Sequence, residues 1–184
     1  MPNATDILVE EHDVIERMLA VLKTAAERLD RGENISAEVF LEAVDFIRNF
    51  ADRCHHAKEE DILFKLMEKR GFTIHNGPIS VMLMEHDKGR LFTRNLESAA
   101  QKLQKGDRSA KHDIAVNALG YADLLSSHIY KENNILYPMA NQSFTREDQE
   151  YLKKEFERVE REISGEGVHE KYHHLVHTLE AQFN

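Results

Sequence analysis

Apolar positions recur every three or four residues along most of this chain, and no stretch alternates as a half-buried strand would, so the pattern predicts helices throughout. A first helix starts near Thr5, carries Ile7, Leu8, Ile15, Leu19 and Leu22 inward, and ends by Arg31-Gly32, where glycine suits a left-handed cap. A second begins after Ser36 and runs through Leu66 to Lys69-Arg70-Gly71, a basic last turn followed by a glycine stop. Pro78 fits the first turn of a third helix, which holds Val81, Met84 and His86 and reaches about Lys105-Gly106. A fourth spans about Ser109 to Ala140. Short connections favour antiparallel neighbours, so residues 1–142 are expected to form an all-α, up-down four-helix bundle of two helical hairpins. Residues 143–184 read as a C-terminal helical extension packed outside the bundle. Thr145-Arg146-Glu147-Asp148 has capping-box character and opens a charged helix to about Ser164. Gly165 and Gly167 break it, and His169 to Phe183 form a last short helix.

Polar residues interrupt the apolar stripes twice, in the same order. Glu11-His12-Asp13 is followed by His55-His56-Ala57-Lys58-Glu59, and Glu85-His86-Asp87 by His128-Ile129-Tyr130-Lys131-Glu132. The spacing from His12 to His55 is 43 residues, and from His86 to His128 it is 42. The copies continue as Glu60-Asp61-Ile62-Leu63-Phe64 and Asn133-Asn134-Ile135-Leu136-Tyr137. The two hairpins are therefore duplicates. In the first copy either His55/Glu59 or His56/Glu60 has a spacing of four. Alignment of the copies selects His55 with Glu59, and helical phase agrees, because Ile47, Ala51, His55, Glu59, Ile62 and Leu66 follow one stripe. Tyr121, Leu125, His128, Glu132, Ile135 and Met139 follow the matching one. The stripe through Asn49, Asp52, Arg53, His56 and Glu60 is expected to face water.

Residues four apart share a helix face, so His55/Glu59 and His128/Glu132 can each aim an imidazole and a carboxylate at one interior point, with His12 and His86 adding one imidazole each. Inward side chains on four helices are how bundles build dinuclear carboxylate sites. Imidazole plus carboxylate suits iron or zinc, whereas calcium and magnesium prefer oxygen. Two irons bridged by both glutamates and by an oxo or hydroxo group would keep about one open position each. A lone histidine-glutamate pair arises easily by chance in a chain with 11 histidines and 33 acidic residues. Two pairs in register with two triplets do not.

Composition narrows the rest. With 184 residues the chain can bury a sizeable core, and a net charge of −9 argues against a nucleic-acid partner. No apolar run approaches membrane-spanning length, and Met1 to Asp6 lack the character of a signal peptide. One cysteine, Cys54, leaves no intramolecular disulfide and makes a cytoplasmic location the default.

These residues resemble the hemerythrin-like family, the His-His-Glu cation-binding domains, over about residues 7–140. Gly77-Pro78-Ile79-Ser80-Val81-Met82, ahead of Glu85-His86-Asp87, looks like the bacterial di-iron proteins linked to iron-centre repair and nitrosative stress. The resemblance implies His12, His55, Glu59, His86, His128 and Glu132 as ligands of two irons, with zinc as the substitute the same donors accept. The oxygen-carrying hemerythrins have a fifth histidine where this chain has Met82, and an aspartate one residue beyond the position of Glu132. The repair-type proteins add an N-terminal cysteine-containing segment, which the residues before His12 do not resemble.

The leading reading is a non-haem di-iron protein that binds or reduces dioxygen, nitric oxide or peroxide, drawing electrons from a partner or from the iron itself. The alternative is an oxygen, nitric oxide or iron sensor, or an iron-handling protein without turnover, whose charged extension meets a regulatory protein. A zinc-stabilised structural bundle is a third reading. A ferritin-like ferroxidase fits less well, because those sites use Glu-x-x-His motifs. His169, His173, His174 and His177 read as a solvated face, Cys54 and Tyr137 as packing residues, Lys58 and Lys131 as side chains reaching solvent, and His56, His75 and His112 as surface residues.

Overall fold

The structure, a computed structural model, describes residues 2–165 and 167–183, and among them it contains helices and no strand. Met1, Glu166 and Asn184 fall within the expected domain limits but lie outside the described residues. Helix α1 is Thr5–Asp30. Helix α2 covers residues 37–69 as one continuous rod, and Ser36 caps it by accepting the Glu38 N–H. Helix α3 is Pro78–Gln104. A single 3-10 turn, Arg108–Ala110, leads into α4 over residues 111–143. Helix α5 is Arg146–Val159 and α6 is Val168–Phe183. Thr5 proves to be the first helical residue rather than the cap. Its hydroxyl instead exchanges hydrogen bonds with the Asn141 side chain, which ties α1 to the end of α4. Gly71 and Gly106 end their helices at φ of +97°, a conformation that other L-residues adopt only with strain.

Cross-helix contacts give the directions. Glu38–Gln104, Arg48–Glu97 and Glu60–Arg90 run oppositely along α2 and α3. Thr5–Asn141, His12–Asn133 and Lys23–Asp123 do the same along α1 and α4. Glu85–Lys131 and His86–His128, with Gly89 beside Tyr121, relate α3 to α4. Within the bundle, each of these three helix pairs is therefore antiparallel, whereas α6 runs parallel to α1, as His169–Glu11, Arg17–Glu180 and Phe183–Arg28 show.

Two apolar clusters fill the interior. One contains Ile15, Leu22, Phe40, Phe50, Leu96 and Leu125, and α6 closes it with Tyr172, Val176 and Leu179. The other contains Leu8, Leu63, Met67, Met82 and Leu136, and α5 closes it with Leu152, Phe156 and Val159. Each of the four long helices passes from one cluster to the other. Where it crosses, it carries the polar residues of the duplicated motif, so these form a layer between two greasy slabs.

The backbone widens at this layer. Ile47–His56, Glu59–Leu63 and Glu132–Leu136 are π-helical, with i→i+5 bonds and more residues per turn than an α-helix. This explains a misplaced stripe. Ile135 and Met139 were expected inside but are 49% and 37% exposed, while Leu136, Tyr137 and Ala140 are buried. The wide turn that begins at Glu132 shifts the phase of every residue after it.

The capping box at Thr145 is present as expected, with Asp148 accepting the Thr145 N–H at 2.9 Å. Asp148 also accepts both arms of Arg70 at 2.7 and 2.8 Å, which clamps α5 to the end of α2. The Arg70 fork holds the Asp148 carboxyl below its ordinary value. A depressed carboxylate stabilises the fold above its unfolded pKa, and the contribution fades as pH falls through the folded one. Asp148→Asn is expected to lower unfolding free energy by about 1–2 kcal/mol at neutral pH, with the gap to wild type closing below roughly pH 4. Urea melts at both pH values check this; a gap that persists in acid contradicts it.

Candidate metal centre

All six residues selected by the duplicated motif meet in the polar layer. His12, His55, Glu59, His86, His128 and Glu132 are each at most 1% exposed. Their ligand-capable atoms form two overlapping groups, one of His12, His55, Glu59 and Glu132, the other of His56, Glu59, His86 and His128. The second group corrects the sequence reading. His56 is 4% exposed and turned inward, with its ring stacked on His86 at 3.9 Å. In an α-helix two consecutive residues diverge too far to share an interior face. The π-helical stretch Ile47–His56 rotates less per residue and brings both His55 and His56 to the layer. Of their supposed water-facing stripe, Arg53 is exposed, whereas Asn49, Asp52 and Glu60 are partly covered.

Each of the five histidines has its Nδ1 against a side-chain oxygen. His12 meets Asn133 at 2.7 Å, His55 meets Glu11 at 2.9 Å, and His56 meets Asp52 at 2.8 Å. His86 meets Glu60 at 2.7 Å, and His128 meets Glu85 at 2.9 Å. Carboxylate and amide oxygens only accept, so Nδ1 carries the proton in these pairs and Nε2 is the atom left for the interior. Such outer partners fix ring orientation and raise ligand basicity wherever histidine binds metal. The glutamates of the two triplets therefore have a purpose the sequence did not reveal: each orients the histidine of the following helix. A signal existed, since Lys58 and Lys131 recur at the same place, and both ammonium groups bond these glutamates. Lys58 does not reach solvent as expected. It is wholly buried between Glu11 and Glu160.

Glu132 presents Oε2 to His12 Nε2 at 3.2 Å and Oε1 to His128 Nε2 at 3.1 Å, one oxygen toward each half of the layer. Glu59 Oε2 lies 3.7 Å from His55 Nε2 and 3.4 Å from His86 Nε2. Its other oxygen accepts the Tyr137 hydroxyl at 2.6 Å, so Tyr137 does more than pack. The Tyr137 ring also stacks on His12 at 5.6 Å.

The electrostatics favour positive charge at the centre. Burial pushes the Glu132 carboxyl up, but His128 and His12 outweigh it and hold it well below the ordinary range. Burial pushes His86 down, yet Glu59 and Glu60 outweigh it and raise it to about 10. His56 behaves differently: burial, reinforced by the His86, His55 and His128 imidazoles, holds it well below its ordinary value, so it is neutral and keeps a lone pair on Nε2.

Four buried ligand-type atoms here, His12 Nε2, Glu59 Oε2 and both oxygens of Glu132, have no hydrogen-bond partner of acceptable geometry. Buried polar atoms are otherwise almost always partnered. A cation between them would satisfy all four, and the imidazole-carboxylate donor set fits iron or zinc.

The Hemerythrin HHE cation binding domain profile matches residues 3–140, so α5 and α6 lie outside it. An uncharacterized protein from Mycobacterium tuberculosis (strain ATCC 25618 / H37Rv) is 25% identical over 135 residues, covering 73% of this chain and 52% of that one. An uncharacterized protein from Mycobacterium bovis (strain ATCC BAA-935 / AF2122/97) matches to the same extent. Iron-sulfur cluster repair protein YtfE from Enterobacter sp. (strain 638) is 29% identical over 138 residues, covering 73% of this chain and 63% of that protein. The chain thus spans about half the length of its mycobacterial relatives. No helix among the described residues is long and apolar enough to cross a membrane. With the duplicated motif, the helical bundle and the buried histidine-glutamate layer in agreement with that match, the chain belongs to the hemerythrin HHE cation-binding domain family.

Proposed function

We propose that this chain is a non-haem di-iron protein that binds or reduces a small ligand, dioxygen, nitric oxide or peroxide, at an open metal position. The observation that carries the reading is the convergence of five oriented imidazoles and two carboxylates on one layer in which four inward atoms lack hydrogen-bond partners. His12, His55, Glu59, His86, His128 and Glu132 would hold two irons, with His56 as a further donor. When bound, iron supplies one-electron redox steps and coordination positions open to a small molecule. The protein's part is to aim Nε2 atoms, to balance charge with Glu59 and Glu132, and to keep a proton on the Tyr137 hydroxyl beside Glu59. Burial and the nearby carboxylates hold that hydroxyl well above its ordinary value. The apolar slabs on either side exclude bulk water. Among the described residues, the seven are buried at 4% exposure or less, which supports a ligand of a few atoms over a bulky substrate.

His56 separates this centre from the six-residue set. His56→Ala is expected to weaken one of two bound metals at least about tenfold, since even outer partners of metal ligands cost that much, and to leave the other unchanged. Metal titration by calorimetry measures both affinities. Two unchanged affinities would mean that His56 only stacks on His86.

The relative named for iron-sulfur cluster repair supports an iron-handling role. A second reading, a sensor without turnover, is favoured by one contact: the C-terminal extension touches Glu11, which bonds His55. Mixing the reduced, iron-loaded chain with excess nitric oxide or peroxide and a chemical reductant tests both. Sustained consumption supports reduction. Binding of one equivalent, with altered hydrogen exchange in α6, supports sensing. Inertness toward each of the three ligands would sink both readings.

A further inference from the structure

The two halves of the centre are built alike but covered differently. Glu11 and Glu85 each accept the Nδ1–H of a layer histidine and the ammonium of a lysine. Glu85 has no further bonded partner among the described residues, and its side chain is 14% exposed beside a Lys131 that is 33% exposed. Glu11 is buried and has a third donor, because His169 Nε2 lies 3.2 Å from the Oε1 that also meets Lys58. The solvated-face reading of the tail histidines therefore fails at His169. Its ring rests on Phe50 at 5.0 Å, and Cys54 Sγ lies 3.7 Å from its Nε2. Glu160, on the turn after α5, completes the enclosure by accepting from Lys58 at 2.6 Å. His169 and Glu160 both belong to the extension, outside the part of the chain that the family match covers.

We propose that His169 is a positioning residue for the half of the centre that contains His12 and His55, acting through Glu11. The extension thereby sets how firmly that half holds its metal. This rests on the two-metal reading given above. A carboxylate held by three donors cannot turn, and its remaining oxygen then fixes the ring and the tautomer of His55. Without His169, Glu11 keeps on Oε1 only Lys58 and the weakly donating Cys54 thiol at 3.9 Å, close to the condition of Glu85. A cavity of about 420 Å³, lined by Ile7, Glu10, Glu157 and His173 among others, would then admit water to that oxygen. A wetted, rotating Glu11 orients His55 less well, and the metal in that half is lost sooner.

The test follows zinc release to a chelator from the loaded full chain, resolving the two ions. His169→Ala is expected to speed release of one ion about tenfold, the low end of the effect of outer partners, and to leave the other unchanged. The fold should survive, since Tyr172, Val176 and Leu179 anchor α6 in the core. His169→Gln, whose amide can donate to Glu11, should restore most of the wild-type rate, and His173→Ala, one turn further along, should change neither. Wild-type rates in His169→Ala, equal acceleration of both ions, or failure of the glutamine to rescue would overturn the proposal. If the wild-type chain takes up no pair of ions, the two-metal reading fails instead. The Nδ1–H resonance of His55 in the unloaded chain then decides: it should shift in His169→Ala while that of His128 stays, and an unmoved His55 signal overturns the positioning role.

Discussion

Glu132→Ala is expected to abolish the paired centre, taking iron from about two per chain to one or none. Its two oxygens are wholly buried, lack hydrogen-bond partners, and lie 3.2 and 3.1 Å from histidines on α1 and α4. Glu59 reaches both halves through one oxygen, because its other accepts the Tyr137 hydroxyl, whereas Glu132 turns one oxygen to each half. The substitution removes one of the two carboxylates that link the halves, and with it one of the two negative charges that face the imidazoles. Glu132→Gln separates the effects, since it keeps the shape and removes the charge. Glu97→Ala is the control: Glu97 pairs with Arg48 on the surface, and its loss should leave iron unchanged. Metal analysis of the three variants after anaerobic loading makes the comparison. Two irons retained in Glu132→Ala would show that the carboxylate is no ligand.

Lys58→Ala is expected to cost about 3 kcal/mol of folding stability, a fall in Tm of roughly 6–12 °C, because it strands a buried carboxylate. Lys58 is 0% exposed and Glu11 only 3%. Removing one member of such a pair costs far more than the pair itself contributes, since the other charge stays out of water. Glu11 keeps its bonds to His55 and His169, which places the loss at the low end of that range. Lys131→Ala provides an internal comparison. It removes the duplicated counterpart, but Lys131 is one-third exposed and water can replace it, so the expected cost is about 1 kcal/mol or less. Thermal melts of both variants without added metal isolate folding from binding. Equal shifts would mean that the difference in burial carries no energetic weight.

The duplicated motif made the helices, the neighbouring hairpins and six residues of the layer legible, because duplication repeats these positions in register. What escaped were features that depend on contacts between copies or on the exact pitch of a helix. His56 was set aside by α-helical phase, and the chain is π-helical at that position. Ile135 and Met139 were misplaced by the same kind of wide turn. The roles of Glu11 and Glu85 need two helices side by side before they appear. Asp52 and Arg90 show the same limit. Asp52 holds His56, while Arg90 bonds Glu60, the partner of His86, so one guanidinium steadies the outer partners of two imidazoles. The position of His169 follows from how the extension docks, and no spacing in the sequence encodes it.

The proposed centre requires two metals in one layer. Iron per chain, measured with the optical spectrum after anaerobic Fe(II) loading and exposure to air, tests this most directly. About two irons with an oxo-bridged ferric spectrum is the predicted result. No uptake, or a single metal per chain, would contradict it and leave a mononuclear or structural site.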